Sequence, residues 1–157
     1  MLRTLLIAAT VLAPAAAAAA PTAQFVRNAI EGNYSEVTLG RQIERRGATP
    51  QVRGFGAMLV RDHGKGLAQA QAIAARTHLR IPAMLTPEAR RELALLQRLD
   101  GRSFDREARR YMIDDHRKDI AEFKAQVRSG DRATAGYAAA TVPVMQHHLA
   151  VAKALRG

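Results

Sequence analysis

Apolar residues recur along most of this chain at spacings of three and four, and no stretch sustains a period-two alternation. That spacing lays one apolar stripe along each of several helices. The first predicted helix runs from Thr22 to Arg46 and stops at Gly47. Thr49 then caps a second, with Pro50 in its first turn, where a missing N–H costs nothing. This second helix extends to Thr77. The stretch "HLRIPAMLTPEARRELALLQRLDG" interrupts the pattern with Pro82, Pro87 and Gly101, although Thr86, Pro87 and Glu88 open a short helix that ends near Leu99. Ser103 is expected to cap a third long helix reaching Arg128, and Asp131 a fourth reaching Leu155. Pro143 inside that last segment predicts a kink or a local break.

Four long helices and one short one make an all-α fold. A helix of about 25 residues is roughly 37 Å long, so the connection between the second and third long helices decides the topology. It holds about 25 residues, far more than a tight turn requires. The connections at Gly47 and Gly130 are short and imply antiparallel hairpins. The expectation is a ferritin-like four-helix bundle, its two hairpins joined by one long crossover that contains the short extra helix.

Each predicted stripe carries one ionisable residue near its middle. The first reads Phe25, Ala29, Gly32, Glu36, Leu39, Ile43, and the second Val52, Phe55, Leu59, His63, Gly66, Ala70, Ile73. The third reads Phe104, Ala108, Met112, His116, Ile120, Phe123, Val127, and the last Tyr137, Thr141, Val144, His148, Val151, Leu155. Counted from the two short turns, Glu36, His63, His116 and His148 fall at similar depths, within about 6–7 Å of one another along the axis. Buried polar groups need partners. Such a layer either satisfies itself as a hydrogen-bonded network with water, or it binds something.

Three imidazoles and a carboxylate form a ligand set for zinc, iron, copper or nickel. The candidate ligands are therefore Glu36, His63, His116 and His148. Asp62 and Asp115 each precede a histidine and point about 100° away from it around the helix, so each is placed to orient a group on a neighbouring helix. Met112, one turn before His116, reads as core filler or as a soft ligand for Cu(I). His147 and His78 read as surface histidines. Gly64 and Gly66 follow His63 directly and weaken that helix by about 1 kcal/mol each; the sequence offers no firm reason for them.

The chain begins "MLRTLLIAATVLAPAAAAAA". Arg3, the apolar run from Leu5 to Leu12 and the alanine tract read as a secretory signal peptide cleaved near Ala20, leaving one domain over residues 21–157. No cysteine occurs in the sequence, so disulfides and a lipid-attachment thiol are excluded. No later run reaches the roughly 18 apolar residues of a membrane helix. The expected location is the periplasm. The formal net charge of +10 at pH 7 points towards anionic envelope components as partners. Basic residues are scattered rather than clustered, and three tyrosines and four phenylalanines leave little for base stacking, which argues against nucleic acid.

Four blocks carry a resemblance: "EVTLG" at 36–40, "FGAMLVRDH" at 55–63, "FDREARRYMIDDHRKDIAEF" at 104–123 and "TVPVMQHHLAVAKAL" at 141–155. In this order and spacing they resemble the family catalogued as domain of unknown function 4142, exported bacterial proteins often labelled outer membrane proteins. The resemblance implies a ferritin-like fold and no established activity, with Glu36, Asp62, His63, Asp115, His116 and His148 on the family's characteristic polar positions. One departure from the wider ferritin-like group matters. Di-iron bundles carry Glu-x-x-His, whereas Val60, Ile113 and Met145 stand three residues before His63, His116 and His148. A carboxylate-bridged di-iron centre is not expected. Two function classes follow: a non-enzymatic bundle with a mononuclear metal site, for metal handling or envelope stress, and an interaction module gripping anionic envelope components through arginine. A metal-dependent oxidoreductase is a third, and no residue is assigned a catalytic role.

Overall fold

The computed structural model describes residues 16–129 and 131–155, with side chains from residue 22 onwards. Its elements are α1 (Ala16–Arg46), α2 (Pro50–Arg76), α3 (Pro87–Leu96), α4 (Gly101–Ser129) and α5 (Ala135–Ala154). No strand occurs among the described residues. None of these helices is long and apolar enough to cross a membrane. Residues 1–15 of the expected leader lie outside the described residues. Helix α1 begins at Ala16 rather than Thr22, because an alanine tract has the highest helix propensity and offers nothing to stop propagation.

Two helix starts follow from local chemistry. The Thr49 hydroxyl accepts from the Val52 N–H at 3.2 Å with Pro50 at the first helical position, and Thr86 does the same for Ala89 at 3.1 Å ahead of Pro87. The other two differ from expectation. Helix α4 starts at Gly101, and Ser103 lies inside it; the Asp100 carbonyl accepts the N–H groups of Ser103 and Phe104 instead. Asp131 does not cap α5 either. Its carboxylate accepts from the Ala133 N–H at 2.8 Å and builds the turn, and the helix begins after Thr134. Helix α5 continues unbroken through Pro143.

The long helices form two hairpins, α1 with α2 and α4 with α5, which pack through α2 on α5 and α1 on α4. Helix α3, inside the crossover, lies against α1 and α4. At Gly56 a Cβ would fall 2.3 Å from the Glu44 nitrogen, so glycine there permits the close approach of α1 and α2. Arg46 ties the crossover down, donating to the Leu96 and Leu99 carbonyls at 3.0 and 2.6 Å while covering the Phe104 ring. Arg109 joins the second hairpin, donating to the Ala152 carbonyl at 3.0 Å.

The core is two cores. One contains Leu39, Ile43, Val52, Phe55, Leu59, Phe104 and Met112; the other contains Phe25, Ile30, Ala70, Ile73, Phe123 and Met145. Between them, at the middle of all four long helices, lies a polar layer. The stripes expected for α1 and α2 are the inward faces, and that of α4 holds as far as Phe123, beyond which Val127 is exposed. Helix α5 is rotated from its expected register. Ala138, Met145, His148 and Ala152 are buried and Val144 is exposed, because this segment is apolar nearly all round and its pattern selects no face.

Two buried acids, Glu92 and Asp105, belong to neither core nor layer. Glu92 on α3 is 5% exposed, 3.5 Å from Arg110, and its Oε1 has no hydrogen-bond partner. Burial, with Glu107 adding to it and Arg110 opposing, pushes its carboxyl up to about 7. A folded-state value raised above the unfolded one means that its contribution is full at acid pH and lost as pH rises through about 7. Glu92→Gln is therefore expected to stabilise the protein by on the order of 2 kcal/mol at pH 8 and negligibly at pH 4.5. Urea unfolding at the two pH values checks this; an equal effect at both would refute it.

Candidate metal centre

The polar layer takes one side chain from each long helix. Glu36, His63, His116 and His148 are 1, 6, 2 and 0% exposed. The three imidazoles pack ring against ring, with centroids 5.1–5.5 Å apart. One nitrogen from each lies within 4.8 Å of the other two. Glu36 stands beside this set: its Oε2 is 4.0 Å from His63 Nε2 and its Oε1 is 3.7 Å from His116 Nδ1.

Hydrogen bonds fix which nitrogen faces which way. His116 Nδ1 lies 2.9 Å from the Met112 carbonyl, which only accepts, so that nitrogen carries the proton and Nε2 holds a lone pair. Asn33 donates its amide to the Ala29 carbonyl at 2.6 Å and to the Tyr137 hydroxyl at 3.0 Å, and Tyr137 donates onward to the Gly66 carbonyl. The Asn33 oxygen is thereby turned towards His63 Nδ1, 3.1 Å away, and accepts its N–H. His63 Nε2 is left buried with no partner. His148 Nε2 is 3.1 Å from the Asp62 carboxylate, an acceptor, so it donates and leaves the Nδ1 lone pair pointing inward.

The result is two lone pairs, His116 Nε2 and His148 Nδ1, facing each other at 3.2 Å, and a third on His63 nearby. A proton on His148 would satisfy both of its neighbours at once. Burial opposes that and holds His148 below the usual histidine range, despite Asp62 pulling the other way. Burial and the neighbouring rings push His63 well down, and His116 falls to about 3. At neutral pH all three imidazoles are therefore neutral, with the lone pairs of His116 Nε2 and His148 Nδ1 facing each other.

The acids behave differently. Asp62 reaches across to His148 on α5 and is held below its ordinary value by the hydrogen bonds from Arg61 and His148, which outweigh its partial burial. Asp115 turns instead towards Glu36. Burial first, then Asp115, drives the Glu36 carboxyl well above its usual range, and both of its oxygens lack a donor. Met112 contributes its carbonyl, while its side chain is packed in the hydrophobic cluster beside the layer. His147 and His78 are exposed.

Residues that the sequence pattern did not single out complete the centre. Asn33 and Tyr137 orient His63, and Asp119 lies beyond Asp115. Asn33 is one turn before Glu36 on the same face, and Asp119 one turn after Asp115, so a polar residue one turn from a stripe ligand was the available signal. Gly66 acquires a reason: a Cβ there would fall 2.4 Å from the Asn33 oxygen. Gly64 has open space around it, and nothing in the structure explains it.

A protein-family model described as "Domain of unknown function (DUF4142)" matches residues 8–155, and the chain belongs to that family. No curated protein and no solved structure matches it.

Proposed function

We propose that this family member is a periplasmic metal-handling protein that holds a single transition-metal ion on His63, His116 and His148. One observation carries the reading: one nitrogen from each of three buried imidazoles lies within 4.8 Å of the other two, while each ring has an N–H spent on a fixed acceptor. Metal-bound histidines have this arrangement, since the outer hydrogen bond fixes the tautomer and raises ligand basicity. A tetrahedral ion with metal–nitrogen distances near 2.05 Å places its ligand nitrogens about 3.3 Å apart. The 3.2 Å between His116 Nε2 and His148 Nδ1 suits that edge.

Three imidazoles favour zinc, copper, nickel or ferrous iron over calcium or magnesium. The fourth position belongs to Glu36 or to a water hydrogen-bonded to it, since its Oε2 lies 4.0 Å from the unpartnered His63 Nε2. The carboxylate also supplies negative charge beside the cation. A cavity of about 490 Å³ between α2 and α5, with His63 and His148 in its wall, supplies a way in. The reading is of capture, and no residue is assigned a catalytic role.

Elemental analysis of protein purified without chelator from metal-replete cells tests this. Close to one transition-metal ion per chain is expected in the wild type, and less than a tenth of that in His63→Ala/His148→Ala. A metal-free wild-type protein under those conditions would end the proposal.

A further inference from the structure

At the end of the bundle where α2 begins and α5 finishes, a groove of about 740 Å³ lies between the two helices. It is lined by Phe55, which is buried, and by Met58, Val151 and Leu155, which are half-buried. From Thr49 to Met58 it follows α2 for roughly 14 Å. No described residue in its wall is charged, and none of Glu36, His63, His116 and His148 lines it.

Gly54 leaves the groove open. It belongs to the wall, and a Cβ there would meet no atom within 4 Å. A glycine inside a helix weakens it relative to alanine, and no close approach in the fold requires this one, unlike Gly56 on the α1 side. Met58, Val151 and Leu155 thus keep apolar surface in water, which an apolar occupant would remove.

Exposed charge flanking the groove is cationic. Arg53 and Lys153 stand next to Gly54 and Ala154, and Arg61 lies one turn beyond Met58 on the same face of α2. Of the acids near its ends, Asp105 is buried and accepts from the Ala48 N–H at 2.9 Å, and Asp62 is held by Arg61 and His148. The C-terminus of α5, ordinarily an electronegative end, is covered by Arg109, which donates to the Ala152 and Lys153 carbonyls at 3.0 and 3.2 Å.

We propose that this groove binds a fatty acid, with its alkyl chain along Phe55, Met58, Val151 and Leu155 and its carboxylate at the Lys153 and Arg53 end. The apolar lining selects a hydrocarbon chain, and flanking charge of one sign selects an anionic head over a cationic one. The groove is separate from the histidine layer, so the inference holds whether or not a metal binds there.

Dodecanoate, kept below its micelle-forming concentration, is the probe, titrated calorimetrically into the purified full-length chain. About one dodecanoate per chain is expected. Octanoate should bind at least about tenfold more weakly, since each buried methylene adds to affinity. Dodecyltrimethylammonium, with the same chain and the opposite charge, should be weaker by a similar factor. Gly54→Leu sets its Cβ in free space inside the groove. It should weaken dodecanoate at least about tenfold while melting at the same temperature or higher. Lys153→Glu should weaken dodecanoate about threefold or more and tighten dodecyltrimethylammonium. Absence of dodecanoate binding, affinity untouched by Gly54→Leu, or equal affinity for the two dodecyl amphiphiles overturns the proposal. So does a dimer in solution that Gly54→Leu dissociates without any uptake of dodecanoate, which would make a second copy the occupant.

Discussion

Chelator treatment of the metal-loaded protein is expected to lower its melting temperature by roughly 10–15 °C, and zinc should restore it. The magnitude comes from linkage. A ligand that binds only the folded state at about 1,000 times its dissociation constant stabilises by about 4 kcal/mol. A domain of this size shifts by about 3 °C per kcal/mol. The physical source is the layer between the two cores. Without an ion, His63 Nε2 and both Glu36 oxygens are buried and unpartnered, and such groups cost about 1–3 kcal/mol each. His116→Ala, which removes one of the three rings, should leave a fold whose melting is indifferent to zinc. Identical melting with chelator and with excess zinc would remove the metal from any structural role.

Acid should act on the metal-free form through the same rings. Their folded-state values lie below the ordinary histidine value of about 6.5, that of His116 at about 3. Below about 6.5 the unfolded chain then binds more protons than the folded one, so the histidine contribution is full above that pH and declines as pH falls. Metal bound as proposed would delay the decline, because protons must displace it first.

Gly66→Ala is expected to weaken metal binding by about 10–100-fold, the range seen when a partner that orients a ligand is lost. The added Cβ would meet the Asn33 oxygen at 2.4 Å, the atom that accepts from His63 Nδ1. The asparagine must move, and the Tyr137 contact moves with it. Crowding of this kind also costs about 1–3 kcal/mol of stability. Gly64→Ala, two residues away in open space, is the control. It should keep full metal affinity and gain up to about 1 kcal/mol from better helix propensity. Competition titration with a zinc indicator separates the two variants; equal affinities would show that Asn33 does not set the His63 tautomer.

Helix starts were legible wherever the cap was local. Thr49–Pro50 and Thr86–Pro87 set theirs because hydroxyl acceptor, proline and helix are contiguous in the chain. The starts of α4 and α5 were misplaced, at Ser103 and Asp131, because a carbonyl and a turn did the work there. The inward face of α5 was not legible, since alanine and valine surround it and leave no polar side to exclude. Asn33, Asp119 and Tyr137 went unnoticed as parts of the centre because their partners come from other helices.

By itself, the sequence determined an all-helical chain with one ionisable residue halfway along each long apolar stripe. Local hydrogen bonding and three-and-four periodicity depend on neighbours within a turn or two, and those are written consecutively. Only the tertiary structure decided that His148 leans on Asp62, that His63 is turned by Asn33, and that Asp115 faces Glu36 rather than a histidine. Those partners lie on different helices, and which atoms meet is set by how the hairpins pack and rotate against each other.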